Sequence, residues 1–342
     1  MDERGLLDMI IARLPGFSYP ERILLCESFN RETDLIQSSA ESIERIIARK
    51  LKEPWNPAGF CPVAERDAKM AKLRRIGWVS WASPAYPPLL REIYDPPPVL
   101  FFRGNLPDPE KRLVGIVGTR RPSPQAAAQA YDIARDLGRR GISVVSGLAL
   151  GIDAMASWGN LEGGAPTFAV LGSGVDEVYP SANRPLAKRI LDNGGGLLSE
   201  YPPGAGARKW TFPARNRLIS ALAWGVLVVE APERSGALIT ARQSLDQGKD
   251  LWVASAGAEA AGYAARRKQA LYDRRGTAKL AEDGAGIIGS AADILREWNW
   301  RIEEIENAAL STADSELRDV LPECGGGRAL AADLARFLDI DL

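Results

Sequence analysis

The most informative absence in this 342-residue sequence is histidine, which does not occur at all. A chain without imidazole cannot build a Ser-His-Asp or Cys-His site, and it lacks the commonest general base and metal ligand. The absence therefore weighs against hydrolase chemistry. From the sequence we assign no catalytic residue, no metal ligand and no cofactor.

Cysteine and long apolar runs are also scarce. The cysteines Cys26, Cys61 and Cys324 are widely separated and odd in number, which argues against a disulfide framework or a cysteine-based metal site. No apolar run approaches the roughly 18 residues that a membrane helix needs, and the acidic N-terminus has no signal-like apolar segment. These features predict a cytoplasmic protein that is neither secreted nor membrane-spanning.

Neither sign of charge is in excess, because 43 lysines and arginines nearly balance 44 acidic residues for a formal net charge of −1. Any affinity for nucleic acid must therefore come from a local patch. The proportions of hydrophobic residues (46%) and charged residues (25%) are those of an ordinary globular protein. The length predicts two or three domains.

The central feature of the sequence is a basic turn within residues 112–125. Residues 113–117 are apolar and rich in β-branched side chains, which predicts a buried parallel strand, and residues 126–140 have apolar positions at helical spacing. The turn between them contains Gly118, Thr119, Arg120 and Arg121. Backbone N–H groups at such a helix start favour anions, and the arginines add full charges. The alternative is an ordinary surface turn with two solvated arginines.

Further apolar runs predict strands at 143–146, 167–171, 197–199, 226–229 and 251–254. Because helical patterns alternate with these strands, the fold class is a doubly wound α/β sheet that binds ligands at the carboxyl ends of its strands. The basic turn is not G-x-G-x-x-G and no ribose-binding acid follows the second strand, which argues against a dinucleotide. We interpret Asp153 as a helix-capping residue.

The regions flanking the sheet predict separate units. Residues 1–62 contain short helical patterns and end in a proline-rich linker at 52–62. A helix-hairpin DNA-binding module and a plain helical bundle both fit this unit, and the plain bundle is favoured. Residues 63–298 carry the sheet. The remaining residues, 299–342, contain helical patterns without a clear β-wing, so we expect a helical or partial winged-helix segment.

Basic and aromatic residues are interleaved between the predicted strands at 197–199 and 226–229. They include Arg208, Lys209, Trp210, Phe212, Arg215, Asn216 and Arg217. Cations that contact phosphates and rings that stack on unpaired bases are what single-stranded nucleic acid requires. A solvated basic loop with its aromatics in the core is the equally weighted alternative.

Two arginines of this cluster are only two positions apart. If both lie in one helix, they cannot both face a groove. We therefore assign Arg215 to DNA and predict that Arg217 hydrogen-bonds within the protein, to Glu230 or Glu200.

Several motifs occur together in a fixed order: GIVGTR, SGLALGIDAMA, AVLGSGVDEVYPSANRPLAKRI, LLSEYPPG, FPARNRLISAL and VVEAPERSGALITARQSLDQGK. Through them, residues 76–257 resemble the DNA-processing protein A family, DprA, also called Smf. The resemblance implies an extended Rossmann-like domain that binds single-stranded DNA without being an enzyme. It further implies a homodimer that loads the RecA recombinase during natural transformation. A helical domain of sterile-alpha-motif type before the sheet and a winged-helix-like domain after it are also implied.

Matched by position, the resemblance assigns DNA binding to Gly118, Thr119, Arg120, Lys209, Phe212, Arg215, Asn216, Arg217, Ser235 and Gly236, and the charge of Arg121 adds that residue. The sequence departs from the family pattern in three places. Ser157 replaces a histidine, 254–257 lacks a proline, and 276–281 lacks an asparagine and an isoleucine. We therefore expect a divergent or altered member that departs from the family pattern across 255–285.

The competing function is a Rossmann-like enzyme acting on a nucleotide or nucleoside phosphate, of phosphoribohydrolase type. The active loop of such enzymes has a sequence similar to Pro-Gly-Gly-x-Gly-Thr-x-x-Glu. Residues 230–236 of this chain lack the glycine pair and the following glutamate. Glu230 and Glu233 are the obvious carboxylates nearby. We interpret Glu230 as a hydrogen-bonding residue at a strand end.

Overall fold

The sheet organises the fold in the computed structural model, which describes residues 3–258 and 272–298. Its strands in chain order are β1 (Gly77–Ser80), β2 (Val99–Gly104), β3 (Leu113–Val117), β4 (Ser143–Ser146), β5 (Phe168–Val170), β6 (Gly196–Ser199), β7 (Gly225–Val228), β8 (Asp250–Ala254) and β9 (Gly286–Ile288). Within the described residues these strands form a single sheet with the order β1-β2-β6-β5-β4-β3-β7-β8-β9.

Helices precede and connect the strands. They are α1 (Glu3–Arg13), α2 (Tyr19–Ser28), α3 (Glu32–Gln37), α4 (Ala40–Ile47), α5 (Cys61–Leu73), α6 (Pro88–Arg91), α7 (Pro124–Arg139), α8 (Ile152–Glu162), α9 (Arg184–Asp192), α10 (Thr211–Leu222), α11 (Gly236–Asp246), α12 (Ser255–Ala258), α13 (Arg275–Glu282) and α14 (Ala291–Glu297). Short 3-10 turns occur at Pro57–Phe60 and Ser181–Asn183.

The topology is doubly wound, as the sequence predicts. The chain moves outward from β3 through β4 and β5 to β6, then returns to the other side of β3 for β7, β8 and β9. All pairings among β3 to β9 are parallel, whereas β2 pairs antiparallel with both β1 and β6. The strand order therefore reverses at β3, and ligands of such sheets bind in the crevice at that reversal.

Both faces of the sheet are buried, because alternate residues of a strand belong to two hydrophobic clusters on opposite faces. In β3, Val114 and Ile116 pack with α7 and α8, whereas Leu113 and Val117 pack on the α10 side. Helix α7 begins after Ser123, whose hydroxyl accepts the Ala126 N–H. This packing explains why the strands read as continuous apolar runs.

The structure confirms the element predictions for the sheet. The predicted strands at 113–117 and 143–146 coincide with β3 and β4, and the other predicted strands agree with the structure to within one residue at each end. Helix α3 was not predicted, because its six residues are too few for a helical pattern to emerge. The C-terminal segment 299–342, with its predicted helices and partial winged helix, lies outside the described residues.

The N-terminal helices pack on the sheet instead of standing apart from it. Leu7 and Ile10 of α1 share one hydrophobic cluster with Val99 and Phe101 of β2. The expected linker 52–62 contains the buried Pro57, and its last two residues are the first two of α5. The assignment of residues 1–62 as a separate domain stays a prediction.

A buried ion pair links these N-terminal helices to the sheet. The Arg217 guanidinium contacts both oxygens of Glu200 at 2.8 Å, and the Tyr19 hydroxyl donates to the same carboxylate at 2.7 Å. Both charged side chains are about 95% buried, at 5% and 4% exposure. Burial alone would lower the pKa of Arg217, but the Glu200 carboxylate raises it above its ordinary value. The predicted internal hydrogen bond of Arg217 to Glu200 is confirmed.

We expect Arg217→Ala to lower the free energy of unfolding by about 3–5 kcal/mol, because Glu200 would be left buried without its partner. Urea denaturation of the full chain measures this change. Arg208→Ala is the matched control, since this arginine is exposed and no described carboxylate lies within 4.0 Å of it. Equal denaturation midpoints for the two variants would contradict a stabilising role for the pair.

Candidate functional site

A cleft of about 420 Å³ opens where the strand order reverses, at the carboxyl ends of β3, β4 and β7. Nine of the predicted site residues line it: Gly118, Thr119, Arg120, Arg121, Phe212, Arg215, Asn216, Ser235 and Gly236. The other two predicted site residues do not line the cleft. Lys209 lies on the exposed loop before α10, and Arg217 is buried beside Glu200.

The basic turn after β3 is fixed by backbone hydrogen bonds from both sides. The Thr119 N–H donates to the Glu230 carbonyl at 2.7 Å, and the Thr119 carbonyl accepts from Ile152 N–H at 3.2 Å. Gly118 is required there, since a Cβ would lie 2.6 Å from the Ile152 side chain. The Arg120 and Arg121 side chains extend from this fixed turn into solvent.

A buried carboxylate supports the same turn from below. Glu230 accepts hydrogen bonds from the Ser123 N–H and from the Ser123 hydroxyl, the latter at 2.5 Å. Arg274 adds a salt bridge at 3.3 Å. These contacts confirm Glu230 as a hydrogen-bonding residue at a strand end, and they tie the start of α7 to the end of β7.

Arg215 forms the floor of the cleft. Its guanidinium donates to the carbonyl of Gly147 at 2.9 Å and also to the carbonyl of Val170, and the residue is only 5% exposed. Gly147 is needed for this contact, because a Cβ would lie 2.6 Å from the guanidinium. The sequence predicts a DNA contact for Arg215. The structure instead places its side chain between two strand ends, because α10 begins at Thr211 and residue 215 lies one turn inside it.

Asp153 compensates the buried charge of Arg215. Its carboxylate accepts from the N–H groups of Gly147 at 3.0 Å and Ala149 at 3.4 Å, so it fastens the turn before α8 and does not cap that helix. Burial raises the pKa of Asp153, and Arg215 opposes that rise. Burial likewise lowers the pKa of Arg215 to about 10, which leaves it protonated at neutral pH.

The cleft brings together segments that are far apart in sequence. The Arg120 guanidinium lies 5.7 Å from the centre of the Phe212 ring, within cation–π range, and the Tyr179 ring lies 5.5 Å from the same ring. The Asn216 amide donates to the Gly236 carbonyl at 3.1 Å and joins α10 to the start of α11. The basic turn and α10 therefore border one groove, as the sheet topology predicts.

The cleft is positively charged. Helices α8, α10 and α11 all begin at this edge of the sheet, with their positive dipole ends toward it. The exposed cations Arg120, Arg121 and Arg234 have no carboxylate within 4.0 Å in the described part of the chain. Asp153 is the one carboxylate among the described lining residues, and it accepts hydrogen bonds from the Gly147 and Ala149 N–H groups. Sequence reasoning missed Arg234, although its position directly before the helix-capping Ser235 could have indicated it.

Two further observations bear on the kind of site. Over residues 3–258 and 272–298, no group of three or more histidine, cysteine, aspartate or glutamate side chains is placed to hold a metal ion. None of the helices described is both long enough and apolar enough to cross a bilayer.

Known proteins are similar to this chain in sequence and fold. The family described as DNA recombination-mediator protein A matches residues 78–299. The DNA processing protein DprA of Bacillus subtilis is 38% identical over 241 residues, which cover 70% of this chain and 76% of that protein. The protein of the same name from Streptococcus pneumoniae is 37% identical over 235 residues, covering 68% of this chain and 79% of that protein.

Solved structures give the same result. The X-ray structure of DprA from Streptococcus pneumoniae superposes with a TM-score of 0.67 at 31% identity, covering 87% of this chain and 98% of that chain. DNA processing protein A from Helicobacter pylori, whose structure addresses its mode of binding single-stranded DNA, gives a TM-score of 0.54 at 29% identity over 65% of this chain and 95% of that chain. The chain therefore belongs to the DNA recombination-mediator protein A family.

Proposed function

We propose that this protein binds single-stranded DNA in the cleft at the carboxyl ends of β3, β4 and β7. The observation that carries the proposal is the pairing of the exposed Arg120 guanidinium with the Phe212 ring, on a turn whose backbone is fixed. A cation for phosphate beside an aromatic face for an unpaired base is the combination that single strands require. The binding of single-stranded DNA by the related protein from Helicobacter pylori supports the same role.

Each predicted residue has a proposed role in this cleft. Arg120, Arg121 and Lys209 contact phosphates, and N–H groups at the start of α11, next to Ser235, donate to a further phosphate. Phe212 stacks on a base. The remaining site residues hold the surface in shape: Gly118 and Thr119 in the turn, Arg215 in the floor, Asn216 and Gly236 between two helices, and Arg217 on the buried side.

We further propose that the protein acts in the cytoplasm as a homodimer and loads the RecA recombinase on incoming DNA during natural transformation. The family membership supports this role. Formation of RecA filaments on poly-dT, measured with and without the protein, tests it. An unchanged rate of filament formation at a saturating concentration of the protein would contradict RecA loading.

We propose binding and not catalysis because the carboxylates that border the cleft are held by internal contacts. Glu230 is bonded to Ser123 and Arg274, and Asp153 accepts from two backbone N–H groups. Glu233 is exposed beside Arg275 at 3.6 Å and is not in the cleft lining. Incubation of the protein with nucleoside monophosphates, followed by analysis for released base or phosphate, tests the enzyme alternative. Turnover above a protein-free control would contradict the proposal.

We expect Arg120→Ala to weaken binding of poly-dT without changing the melting temperature, because the side chain is exposed and contributes little packing. Loss of one phosphate contact should also reduce the slope of log K against log salt by roughly 0.7. Fluorescence anisotropy over a salt series measures both effects. The control is Arg139→Ala, an exposed arginine in the last turn of α7, at the opposite edge of the sheet. Unchanged affinity and slope would remove Arg120 from the site.

Binding should favour single strands over duplex, because Phe212 needs an unpaired base and such stacking contributes about 1–3 kcal/mol. Competition between labelled poly-dT and unlabelled duplex of the same length measures the preference. Phe212→Ala should reduce the preference, whereas Phe212→Tyr, which retains the ring, should keep it. Equal affinity for both forms in the unmodified protein would count against base stacking.

Arg215→Ala should lower the melting temperature and the DNA affinity together. The change removes the hydrogen bonds to the Gly147 and Val170 carbonyls, and a buried acceptor left unsatisfied costs about 1–3 kcal/mol. Thermal denaturation and anisotropy on the same preparation provide the test. Reduced affinity at an unchanged melting temperature would instead indicate a direct DNA contact by Arg215.

A further inference from the structure

We propose that Tyr179 and Trp210 are two additional stacking platforms for unpaired nucleobases. They would extend the path of the strand along the sheet edge, away from the cleft. This inference rests on the proposed binding of single-stranded DNA and adds two sites to it. Neither ring is in the lining of the cleft, and Tyr179 borders it through its contact with Phe212.

The sheet topology places both rings on one side of the cleft. Tyr179 lies in the loop between β5 and α9, and Trp210 lies in the loop between β6 and α10. The strands β3, β4, β5 and β6 are successive neighbours, and neighbouring strands are about 4.8 Å apart. The loops after β5 and β6 therefore lie about 10 to 14 Å along the edge from the basic turn.

Each ring is supported on one side and open on the other. Tyr179 is 49% exposed and leans on Phe212 at a ring distance of 5.5 Å, with an interplanar angle of 44°. Trp210 is 61% exposed and meets the Tyr201 ring edge-on at 6.0 Å. Phe212 is already flanked by Arg120 and Tyr179. The more open aromatic faces are thus those of Tyr179 and Trp210.

The loops that carry these rings are tied to each other. The Gly174 N–H donates to the Ala205 carbonyl at 2.8 Å, and the Gly204 N–H donates to the Asp176 carboxylate at 3.0 Å. The Thr211 hydroxyl donates to the Arg208 carbonyl at 2.8 Å and so closes the turn that contains Trp210. Rings on a fixed backbone lose little entropy when a ligand stacks on them.

The charges beside Trp210 identify the occupant as nucleic acid and not an apolar protein surface. Arg208 and Lys209 immediately precede Trp210, and both are exposed. Neither has a carboxylate within 4.0 Å among the residues described. Cations that alternate with exposed rings match the alternation of phosphates and bases in a single strand.

The test measures affinity for oligo-dT at lengths from about 4 to about 16 nucleotides, the range of site sizes known for single-strand-binding folds. Trp210→Ala should bind the shortest strand that occupies the cleft as the unmodified protein does. Tyr179→Ala also removes a ring that contacts Phe212, so it should weaken binding of the shortest strand less than binding of the longest. Each should bind the longest strand more weakly, by about 5-fold to 150-fold. Tyr179→Phe and Trp210→Phe, which keep an aromatic ring, should restore the affinity.

Two exposed aromatics elsewhere provide matched controls. Tyr94 is 85% exposed and does not line the cleft, and Trp224 is 41% exposed at the amino end of β7, on the opposite edge of the sheet. Their alanine variants should bind every length normally. Tyr179→Ala and Trp210→Ala could also bind every length normally while Arg120→Ala loses affinity at every length. That result would rule out the extended path and leave the proposed binding in the cleft intact. If Arg120→Ala is normal as well, the proposed function itself fails.

A further result would also overturn the inference. Equal losses at all lengths in Tyr179→Ala and Trp210→Ala would indicate disturbance of the cleft and not loss of an outer platform. Melting temperatures of all variants, measured on the same preparations, identify any variant that is generally destabilised.

Discussion

The buried guanidinium of Arg215 determines the arrangement of the cleft. It bonds to the carbonyls of Gly147 and Val170 at the ends of β4 and β5, and Asp153 fastens the turn before α8. Removing the hydrogen bonds of a buried charge is costly, so these contacts hold α10 against the strand ends. In the same helix, Phe212 lies beside Arg120 and Arg217 points toward Glu200 on the buried side. The exposed surface of the cleft therefore depends on internal electrostatics.

This arrangement explains how a chain with a net charge of −1 presents a positive surface. Three buried carboxylates near the site are held by internal partners: Glu230 by Ser123 and Arg274, Glu200 by Arg217, and Asp153 by the Gly147 and Ala149 N–H groups. The exposed arginines on the turns remain uncompensated by the described carboxylates. A local field of this kind attracts a polyanion although the total charge does not.

The fold was more predictable from sequence than the site. Strands such as β3 and β4 are short apolar runs ended by glycine or serine, so local pattern locates them. The turn at Arg120 was likewise predictable, because a strand end followed by a helix start has a fixed geometry. The burial of Arg215 was not, since it depends on where α10 begins and on the absence of a Cβ at Gly147. The contact between Tyr179 and Phe212 was also beyond sequence reasoning, because it joins two loops through the tertiary fold.

The central claim is that a single strand lies along the carboxyl edge of the sheet, across β3 and past α10. Photocrosslinking of an oligonucleotide that carries 5-iodouracil, followed by mass spectrometric mapping of the attachment sites, tests this claim most directly. The account predicts crosslinks at the aromatic side chains of this edge, with Phe212 among them. Crosslinks confined to α1 to α5, or to the opposite edge of the sheet near Trp224, would contradict it.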